Sequence, residues 1–415
     1  MSVDSSASAI PRPAEGQWPG LASPPHSPLR AAAAQFLFRK AVHRLPIAVE
    51  LPDGRRLGAG GADAPVMRLR QPANFFHRLG ADGTIGLGEA YLVGDWITDS
   101  LTELLIPFAA NMDSLVPRPL RALRRFARPR KPAGERNTVT GARQNIERHY
   151  DLSNELFGTF LDDTMTYSSA WFAPGVDDLG GAQERKIDAM LDFAEVGPGT
   201  RLLEIGTGWG ALAIRAARRG ADVTSLTISP SQRELAERRA ARAGVADQVH
   251  VVLRDYRQET GRYDAVVSVE MIEAVGHQHW SEYFAMVDRV LEPGGRFALQ
   301  AITMPHRQML ATRNAQGWPH KYIFPGGELL SIPEIERQVG THTRLRISER
   351  RSLRASYART LTTWRDRFLD RWSDVAELGF DETFRRMWVF YLSYFEAGFR
   401  ADYLDVWQLK MAKSG

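Results

Sequence analysis

The stretch Arg201-Leu-Leu-Glu-Ile-Gly-Thr-Gly-Trp-Gly210 constrains the fold of this chain more than any other. A short apolar run ends in glycines at positions 206, 208 and 210, and a segment of helical character follows at once over 211–219. A strand, a glycine-rich turn and a helix in this order let a backbone come close to a nucleotide. The sequence therefore predicts a nucleotide-binding βα unit here.

The spacing of the glycines discriminates between nucleotides. A dinucleotide site has the pattern G-x-G-x-x-G and, about 20 residues later, an acid for the ribose hydroxyl. This chain has G-x-G-x-G, no acid at the tip of the next strand, and Glu204 two residues before the first glycine. The pattern favours S-adenosylmethionine (SAM) over a dinucleotide. A tight turn without a ligand is the alternative.

Strands and helices alternate along the middle of the chain. The predicted strands cover 201–205, 223–227, 249–253, 265–269 and 296–301. Such alternation is typical of βαβ units in a mostly parallel sheet, with the ligand at the carboxyl ends of the strands. We predict an α/β, Rossmann-like domain with helical C-terminal additions. The many aromatic residues after about position 331 are interpreted as core, or alternatively as the lining of a channel for a long apolar substrate.

The length of 415 residues favours two domains over one. Composition then sets the boundaries, because a Ser-, Pro-, Ala- and Gly-rich start and a basic stretch flank a segment with short strands at 47–51 and 66–69. The predicted parts are a disordered tail (1–29), a small α+β N-terminal domain (30–116), a basic linker (117–136) and the Rossmann-like domain (137–415).

Composition excludes several classes of site. The chain has no cysteine, so disulfides, thiolate metal sites and a cysteine nucleophile are ruled out. The formal net charge is only +4, and no apolar run reaches the roughly 20 residues of a membrane span. The N-terminus lacks the pattern of a secretory signal. We expect a cytoplasmic protein.

Six motifs, in chain order, resemble those of the cyclopropane-fatty-acyl-phospholipid synthase family, which includes the mycolic acid cyclopropane synthases. They are His149-Tyr-Asp-Leu-Ser-Asn154, Met165-Thr-Tyr-Ser-Ser-Ala-Trp-Phe172, Leu203–Gly210, Leu226–Gln232, Val267–Gly276 and Lys321-Tyr-Ile-Phe-Pro-Gly-Gly327. The resemblance implies a SAM-dependent methyltransferase that modifies the cis double bond of an unsaturated phospholipid acyl chain. It also implies an N-terminal lipid-handling domain, peripheral association with the inner membrane face, and a homodimer.

The same resemblance assigns a SAM site by position. Tyr167 and Ser168 contact the amino-acid end, and Thr227 and Gln232 lie by the ribose and methionine portions. Asp255 and Tyr256 flank the adenine. The remaining SAM-site residues belong to the glycine-rich stretch and are Glu204, Gly206, Gly208 and Gly210.

Family members of this type hold a bicarbonate ion as general base. By position its cradle in this chain is Ser169, Glu273, Gln300, the backbone of Ile302, and Tyr357. Ser169 stands where the family usually has cysteine, and Gln300 where it usually has histidine. Glutamine cannot become cationic, so we expect Glu273 to act more directly as base. We also expect a mid-chain methylene or methyl branch as an alternative to a cyclopropane. Glu270 is interpreted as a supporting or solvated residue.

Other functions remain as alternatives. A small-amine N-methyltransferase shares this fold, and a non-catalytic lipid-binding protein is favoured only by the departures at Ser169 and Gln300. DNA methylation is disfavoured because Glu270-Met-Ile-Glu273 follows the strand at 265–269, where such enzymes carry an Asp/Asn-Pro-Pro-aromatic motif. No nucleic-acid partner is expected. The pair His277 and His279 lacks a third ligand, so no metal site is expected.

The linker carries seven basic residues and no acid between Arg118 and Lys131, with leucine and phenylalanine at about helical spacing. It is interpreted as a contact for an anionic membrane surface, where each basic residue contributes roughly 1 kcal/mol. A solvated interdomain linker is the alternative.

Neutralising Arg121, Arg124, Arg125 and Arg128 together should therefore weaken binding to anionic vesicles at low salt, since screening removes such attraction at high salt. Vesicle co-sedimentation measures this effect. Equal binding of the unaltered protein to neutral and anionic vesicles would contradict the interpretation.

Overall fold

The computed structural model of the protein describes Pro13 and residues 17–112, 153–175 and 178–414. These residues form two compact units. The first draws on Met1–Pro129, Gln316–Tyr322 and Trp372–Ala401, and the second on Arg130–Ala315, Ile323–Arg371 and Asp402–Gly415. The predicted linker and His149 lie outside the described residues, so the predicted boundary stays a prediction. Two segments of the predicted C-terminal domain, 316–322 and 372–401, group with the first unit.

Helices are numbered in chain order over the described residues. They are α1 (Pro28–Val42), α2 (Pro72–Asp82), α3 (Thr84–Leu92), α4 (Leu101–Ala110), α5 (Asn154–Phe160), α6 (Leu179–Phe193), α7 (Ala211–Arg218), α8 (Pro230–Arg242), α9 (Trp280–Val290), α10 (His306–Thr312), α11 (Trp318–Tyr322), α12 (Ile332–His342), α13 (Arg354–Asp370), α14 (Trp372–Glu377) and α15 (Glu382–Arg400). Short 3-10 turns cover Ala246–Gln248, Tyr256–Gln258 and Ile272–Ala274.

Strands are numbered in the same way. They are β1 (Ala48–Glu50), β2 (Arg56–Leu57), β3 (Val66–Leu69), β4 (Trp96–Ile97), β5 (Arg201–Ile205), β6 (Asp222–Thr227), β7 (Val249–Leu253), β8 (Tyr263–Val269), β9 (Leu291–Thr303), β10 (Leu345–Ser352) and β11 (Asp405–Lys413).

The second unit is built on a seven-stranded sheet of order β10-β11-β9-β8-β5-β6-β7. Strands β9, β8, β5, β6 and β7 run parallel, and β11 is antiparallel to both β9 and β10. The predicted Rossmann-like α/β fold is therefore confirmed. The pair β10 and β11 was not predicted, because the aromatic, helix-rich sequence around it favoured helix throughout the C-terminal third.

Both faces of this sheet are covered, which explains why its central strands are nearly continuous apolar runs. On β5, Leu203 and Ile205 pack on the face that holds α9, whereas Leu202 packs on the opposite face. On β8, Val266 and Val267 divide in the same way. Because side chains alternate along a strand, each strand contributes to both cores and the sheet is fixed between helical layers.

The first unit contains a small sheet of order β2-β1-β3-β4, as the α+β interpretation predicts. Its core also takes in α15, an aromatic helix in which the rings of Trp388 and Tyr391 lie 5.2 Å apart and those of Tyr391 and Phe395 lie 5.5 Å apart. Phe390 contacts Trp318 of α11 at 4.6 Å between ring centroids. These aromatic residues thus serve as core of the first unit, in line with the first of the two interpretations.

Among the described residues, no helix combines the length and the apolar character needed to cross a membrane.

Truncating Leu299 to Ala should destabilise the second unit, because this β9 side chain is 0% exposed in the core under α9. Leucine-to-alanine changes at such sites cost about 2–5 kcal/mol of unfolding free energy. The matched control is Leu310→Ala on α10, where the side chain is 45% exposed. Urea unfolding followed by circular dichroism compares the two; equal midpoints would contradict the assigned core.

Candidate active site

The glycine-rich loop lies at the carboxyl end of β5, where the chain turns into α7. Gly206 has φ +97° and Gly210 has φ +88°, in the left-handed region that glycine adopts without strain. A Cβ atom at Gly206 would lie 3.2 Å from Cγ of Met271, and one at Gly210 would lie 3.1 Å from Cβ of Ala236. The loop therefore presents bare backbone at the start of a helix, and these residues fit a bound SAM.

Glu204 lies on β5 and its side chain reaches the neighbouring strand β6. Oγ of Ser225 lies 2.5 Å from Oε2 of Glu204 and 2.7 Å from Oγ1 of Thr207. Burial raises the pKa of Glu204 to about 8. Glu204 thus belongs to a buried polar cluster on β5 and β6 beside the loop, and its predicted contact with SAM stays a prediction.

The predicted ribose and methionine residues lie at the tip of β6. Oγ1 of Thr227 donates to Oε1 of Gln232 at 2.9 Å. Ser229 caps α8, since its hydroxyl accepts a hydrogen bond from the backbone amide of Gln232 at 3.3 Å. The cap fixes the direction in which α8 leaves the strand, and so it holds Thr227 and Gln232 together.

The predicted adenine residues follow β7. Asp255 is buried and accepts hydrogen bonds from the backbone and guanidinium of Arg257. The ring of Tyr256 packs edge-on against Tyr283, with centroids 5.4 Å apart. Burial raises the pKa of Tyr256, so its hydroxyl stays protonated. Both residues lie at the same edge of the sheet as the glycine-rich loop.

Tyr167 and Ser168 lie in the segment between α5 and α6. The ring of Tyr167 stacks on Trp364, with centroids 5.2 Å apart. Oγ of Ser168 accepts a hydrogen bond from Nζ of Lys186 at 2.6 Å. The main chain of this segment is held by Gln183, whose Nε2 donates to the carbonyl of Ser168 at 2.9 Å.

Glu270 is the centre of the predicted catalytic group. It is the first residue after β8 and has φ +49°, a left-handed conformation that costs a non-glycine residue about 1–2 kcal/mol. Oε1 accepts from the amide of Ser169 at 2.9 Å and from Nε2 of Gln300 at 2.7 Å. Oε2 accepts from the hydroxyl of Tyr357 at 2.8 Å. Three of the five predicted cradle residues therefore converge on this carboxylate.

Glu273, on the 3-10 turn Ile272–Ala274, brings a second carboxyl group into the site. Its Oε1 accepts from the backbone amide of Ile302 at 2.6 Å. Its Oε2 is buried and has no hydrogen-bond partner among the described residues. Burial, and then the negative charge of Glu270, raise the pKa of Glu273 to about 8.

The side-chain amide of Gln300 is oriented from the far side. Nε2 of Gln408, on β11, donates to Oε1 of Gln300 at 3.0 Å. The oxygen of Gln300 is thereby engaged, so its NH₂ group faces Glu270. The β9–β11 pairing that aligns Gln300 with Gln408 is thus part of the site.

The structure therefore brings together all the predicted catalytic residues: Ser169, Glu273, Gln300, Ile302 and Tyr357. Glu270, interpreted from the sequence as a supporting or solvated residue, lies at the centre of this group, because three of its members donate to its carboxylate. A signal was present in the sequence: an acid directly after a strand of a parallel sheet lies at the ligand edge. Lys186 and Gln408 were missed with no comparable signal, since each is distant in sequence from the motifs.

A bicarbonate ion does not fit the predicted cradle. Its donors, the Ser169 amide, the Gln300 amide and the Tyr357 hydroxyl, already donate to the carboxylate of Glu270. A second anion at this place would meet a like charge without free donors.

The two histidines of the predicted metal-like spacing have separate partners. Nδ1 of His277 lies 2.8 Å from Oε2 of Glu328, and Nδ1 of His279 lies 3.1 Å from Oε2 of Glu282. Within 17–112, 153–175 and 178–414, no cluster of three or more His, Asp or Glu could hold a metal ion.

Comparison with known proteins extends the assignment from the site to the whole chain. Residues 137–409 match the family model for mycolic acid cyclopropane synthetase. The chain is 48% identical over 409 residues to "Tuberculostearic acid methyltransferase UfaA1" of Mycobacterium tuberculosis, covering 96% of each protein. It is 33% identical over 372 residues to "Cyclopropane-fatty-acyl-phospholipid synthase" of Escherichia coli K12, covering 88% of this chain and 93% of that protein.

A solved structure matches the second unit's architecture. The mycolic acid cyclopropane synthase CmaA1, crystallised with SAH and CTAB, aligns with a TM-score of 0.61 at 30% identity and covers 68% of this chain and 99% of its own. Together with the glycine-rich loop and the paired carboxyl groups, these matches lead to one conclusion. The chain belongs to the mycolic acid cyclopropane synthetase family and is a SAM-dependent methyltransferase.

Proposed function

We propose that the enzyme transfers a methyl group from SAM to the cis double bond of an unsaturated phospholipid acyl chain, and that the product is a mid-chain methylene branch. The observation that carries the proposal is the carboxylate of Glu270, held by three donors where the family resemblance implies bicarbonate. The side chain of Glu270 thus takes the role that a bound bicarbonate ion has in the family resemblance.

The reaction needs such a base. SAM, when bound, supplies an electrophilic methyl group. Addition of a methyl group to an alkene uses the π electrons for the new C–C bond and leaves a cation on the neighbouring carbon of the acyl chain. If the electrons of a C–H bond in the new methyl group form a bond to that cation, a cyclopropane results and the proton of that C–H bond is released. A hydride shift from the methyl-bearing carbon moves the cation there, and loss of a methyl proton then gives a methylene. Both routes release one proton, which Glu270 can accept.

The two carboxyl groups take different protonation states. Burial raises the pKa of Glu270, and this rise is opposed by the charge of Lys186 and by three hydrogen bonds that stabilise the ionised form. Glu273 has a pKa of about 8 because burial and the charge of Glu270 oppose its ionisation. We therefore assign the ionised form to Glu270, which accepts three hydrogen bonds, and the proton of the pair to Glu273, which accepts one. The proposal thus places the base at Glu270 and not, as expected from the sequence, at Glu273, because Glu270 accepts three hydrogen bonds and Glu273 accepts one.

The choice of a branched product rests on two supports. The relative at 48% identity is named a tuberculostearic acid methyltransferase, whereas the one named a cyclopropane-fatty-acyl-phospholipid synthase is 33% identical. In addition, a base tethered to β8 reaches only those C–H bonds that contact its oxygens. The protein thereby controls whether a proton is removed before or after the hydride shift.

The alternatives lose their sequence support. The departures at Ser169 and Gln300 favoured a non-catalytic relative, but both residues donate to Glu270 and so belong to a complete site. An N-methylation of a small amine needs no base poised for a C–H proton. A location at the inner membrane face, through the basic linker, and a homodimer remain proposals that rest on the lipid substrate and the family.

The chemical structure of the product, a methylene branch or a ring, tests the proposal. Purified protein incubated with SAM and oleoyl-phospholipid vesicles should add one CH₂ to the acyl chain, seen by mass spectrometry. We expect an alkene branch that hydrogenation reduces. A product that retains a ring after mild hydrogenation would overturn the branch assignment, and no mass gain would overturn the lipid substrate.

Replacing Glu270 tests the base directly. Glu270→Gln keeps the shape but removes the charge, and turnover should fall by about 10²–10⁴-fold, the usual contribution of a general base. SAM binding, measured by calorimetry, should persist. A turnover rate equal to that of the unaltered enzyme would exclude Glu270 as base.

Glu270→Gly adds a rescue experiment. Glycine suits the left-handed backbone, and the donors of Ser169, Gln300 and Tyr357 then surround an open anion site. Added bicarbonate or formate should restore activity to Glu270→Gly but not to Glu270→Gln, whose amide still fills the space.

A further inference from the structure

Lys186, on α6, is a buried lysine that the reaction scheme has not used. The residue is 1% exposed, although lysine is almost never fully buried without a partner. Its Nζ donates to Oγ of Ser168 at 2.6 Å. A hydroxyl alone is weak compensation for a buried ammonium group, so a stable ammonium here needs negative charges nearby.

A continuous set of contacts joins Lys186 to the proposed base. Lys186 holds the side chain of Ser168, and the next residue, Ser169, donates its amide to Glu270. The amide Nε2 of Gln408 lies 3.5 Å from the carbonyl of Lys186 and also donates to Gln300, which donates to Glu270. Lys186 on α6 is therefore linked to Glu270 by two chains of contacts. One passes through Ser168 and Ser169, and the other through Gln408 and Gln300.

The charges around Lys186 are all carboxyl groups. Burial lowers the pKa of Lys186 to about 8, opposed first by the negative charge of Glu270 and then by Asp162 and Glu204. In return, burial raises the pKa of Glu270, and Lys186 is the cation that opposes this rise. The other titratable groups that face Glu270 are Glu273, whose charge would add repulsion, and Tyr357, which donates a hydrogen bond.

We propose that Lys186 is a positioning residue whose buried ammonium group is the counter-charge that keeps Glu270 ionised in the active site. The inference rests on the proposed role of Glu270 as base. Without the counter-charge, a buried carboxylate takes up a proton more readily and then cannot accept one from the acyl chain. With it, Glu270 is ionised at neutral pH despite its burial.

The pH profile of kcat distinguishes this role from a merely structural one. Lys186→Met removes the charge and keeps much of the volume. Loss of a nearby cation raises the pKa of a carboxylate, so the acid limb of the profile should move to higher pH by at least one unit. Activity should be at least tenfold lower at pH 7 and partly recovered above pH 8.5. A uniform fall in kcat with an unmoved acid limb would overturn the proposal.

Two comparisons sharpen the test. Arg185→Met removes a cation from the adjacent, exposed position on α6, and its acid limb should stay where it is in the unaltered enzyme. Lys186→Arg keeps the charge and should restore the profile towards that of the unaltered enzyme. An acid limb for Lys186→Arg that matches Lys186→Met would also contradict a counter-charge.

Stability gives a second readout that needs no activity. If Lys186 and Glu270 compensate each other, the double variant Lys186→Met/Glu270→Gln should unfold at a higher urea concentration than Lys186→Met alone, because no buried charge is left unpaired. Additive effects of the two changes would overturn the pairing. Retention of activity by Glu270→Gln, with coupled stabilities, would instead reject the proposed base and leave the charge pair standing.

Discussion

The active site depends on one carboxylate that gathers hydrogen bonds from three separate parts of the second unit. Ser169 reaches Glu270 from the segment before α6, Gln300 from β9 and Tyr357 from α13. Glu270 itself is held in a left-handed conformation at the end of β8. Strain of this kind persists only where the surroundings over-determine it. Here the three donors do so, and the rest of the site follows from the position in which they hold the carboxylate.

Buried charge is the second constraint on the site. Glu270, Glu273 and Glu204 bring acidic groups into a region that also buries Lys186. Like charges in low dielectric cannot all ionise, so environment separates their protonation states. In the proposed function, the carboxyl group with three donors and a nearby ammonium serves as base, and its neighbour with one donor holds a proton. The same sheet edge holds the glycine-rich loop, so the proposed SAM site and the proposed base lie at one edge of the sheet.

Much of the fold could be predicted because its signals are local. The glycines after Ile205 and the strand–helix alternation gave strands β5 and β7 with the bounds that the structure has. The antiparallel pair β10 and β11 was missed because its sequence alternates weakly and lies among aromatic helices. The predicted cradle residues do lie together, but three of them donate to Glu270, which the sequence analysis did not place among them. Resemblance to a family predicts which positions form the site. It does not reveal that a side chain at another position, Glu270, accepts the hydrogen bonds that these residues donate.

The sequence by itself determined the nucleotide-binding βα unit and the parallel sheet, because glycine spacing and apolar periodicity act over a few residues. The kind of chemistry was implied by the family resemblance of its six motifs. Only the tertiary structure decided which carboxyl group accepts hydrogen bonds from the predicted cradle, how Gln408 orients Gln300, and that Lys186 is buried. These contacts join residues 18 to 108 positions apart along the chain. Protonation and hydrogen bonding depend on such neighbours in space, and no local pattern records them.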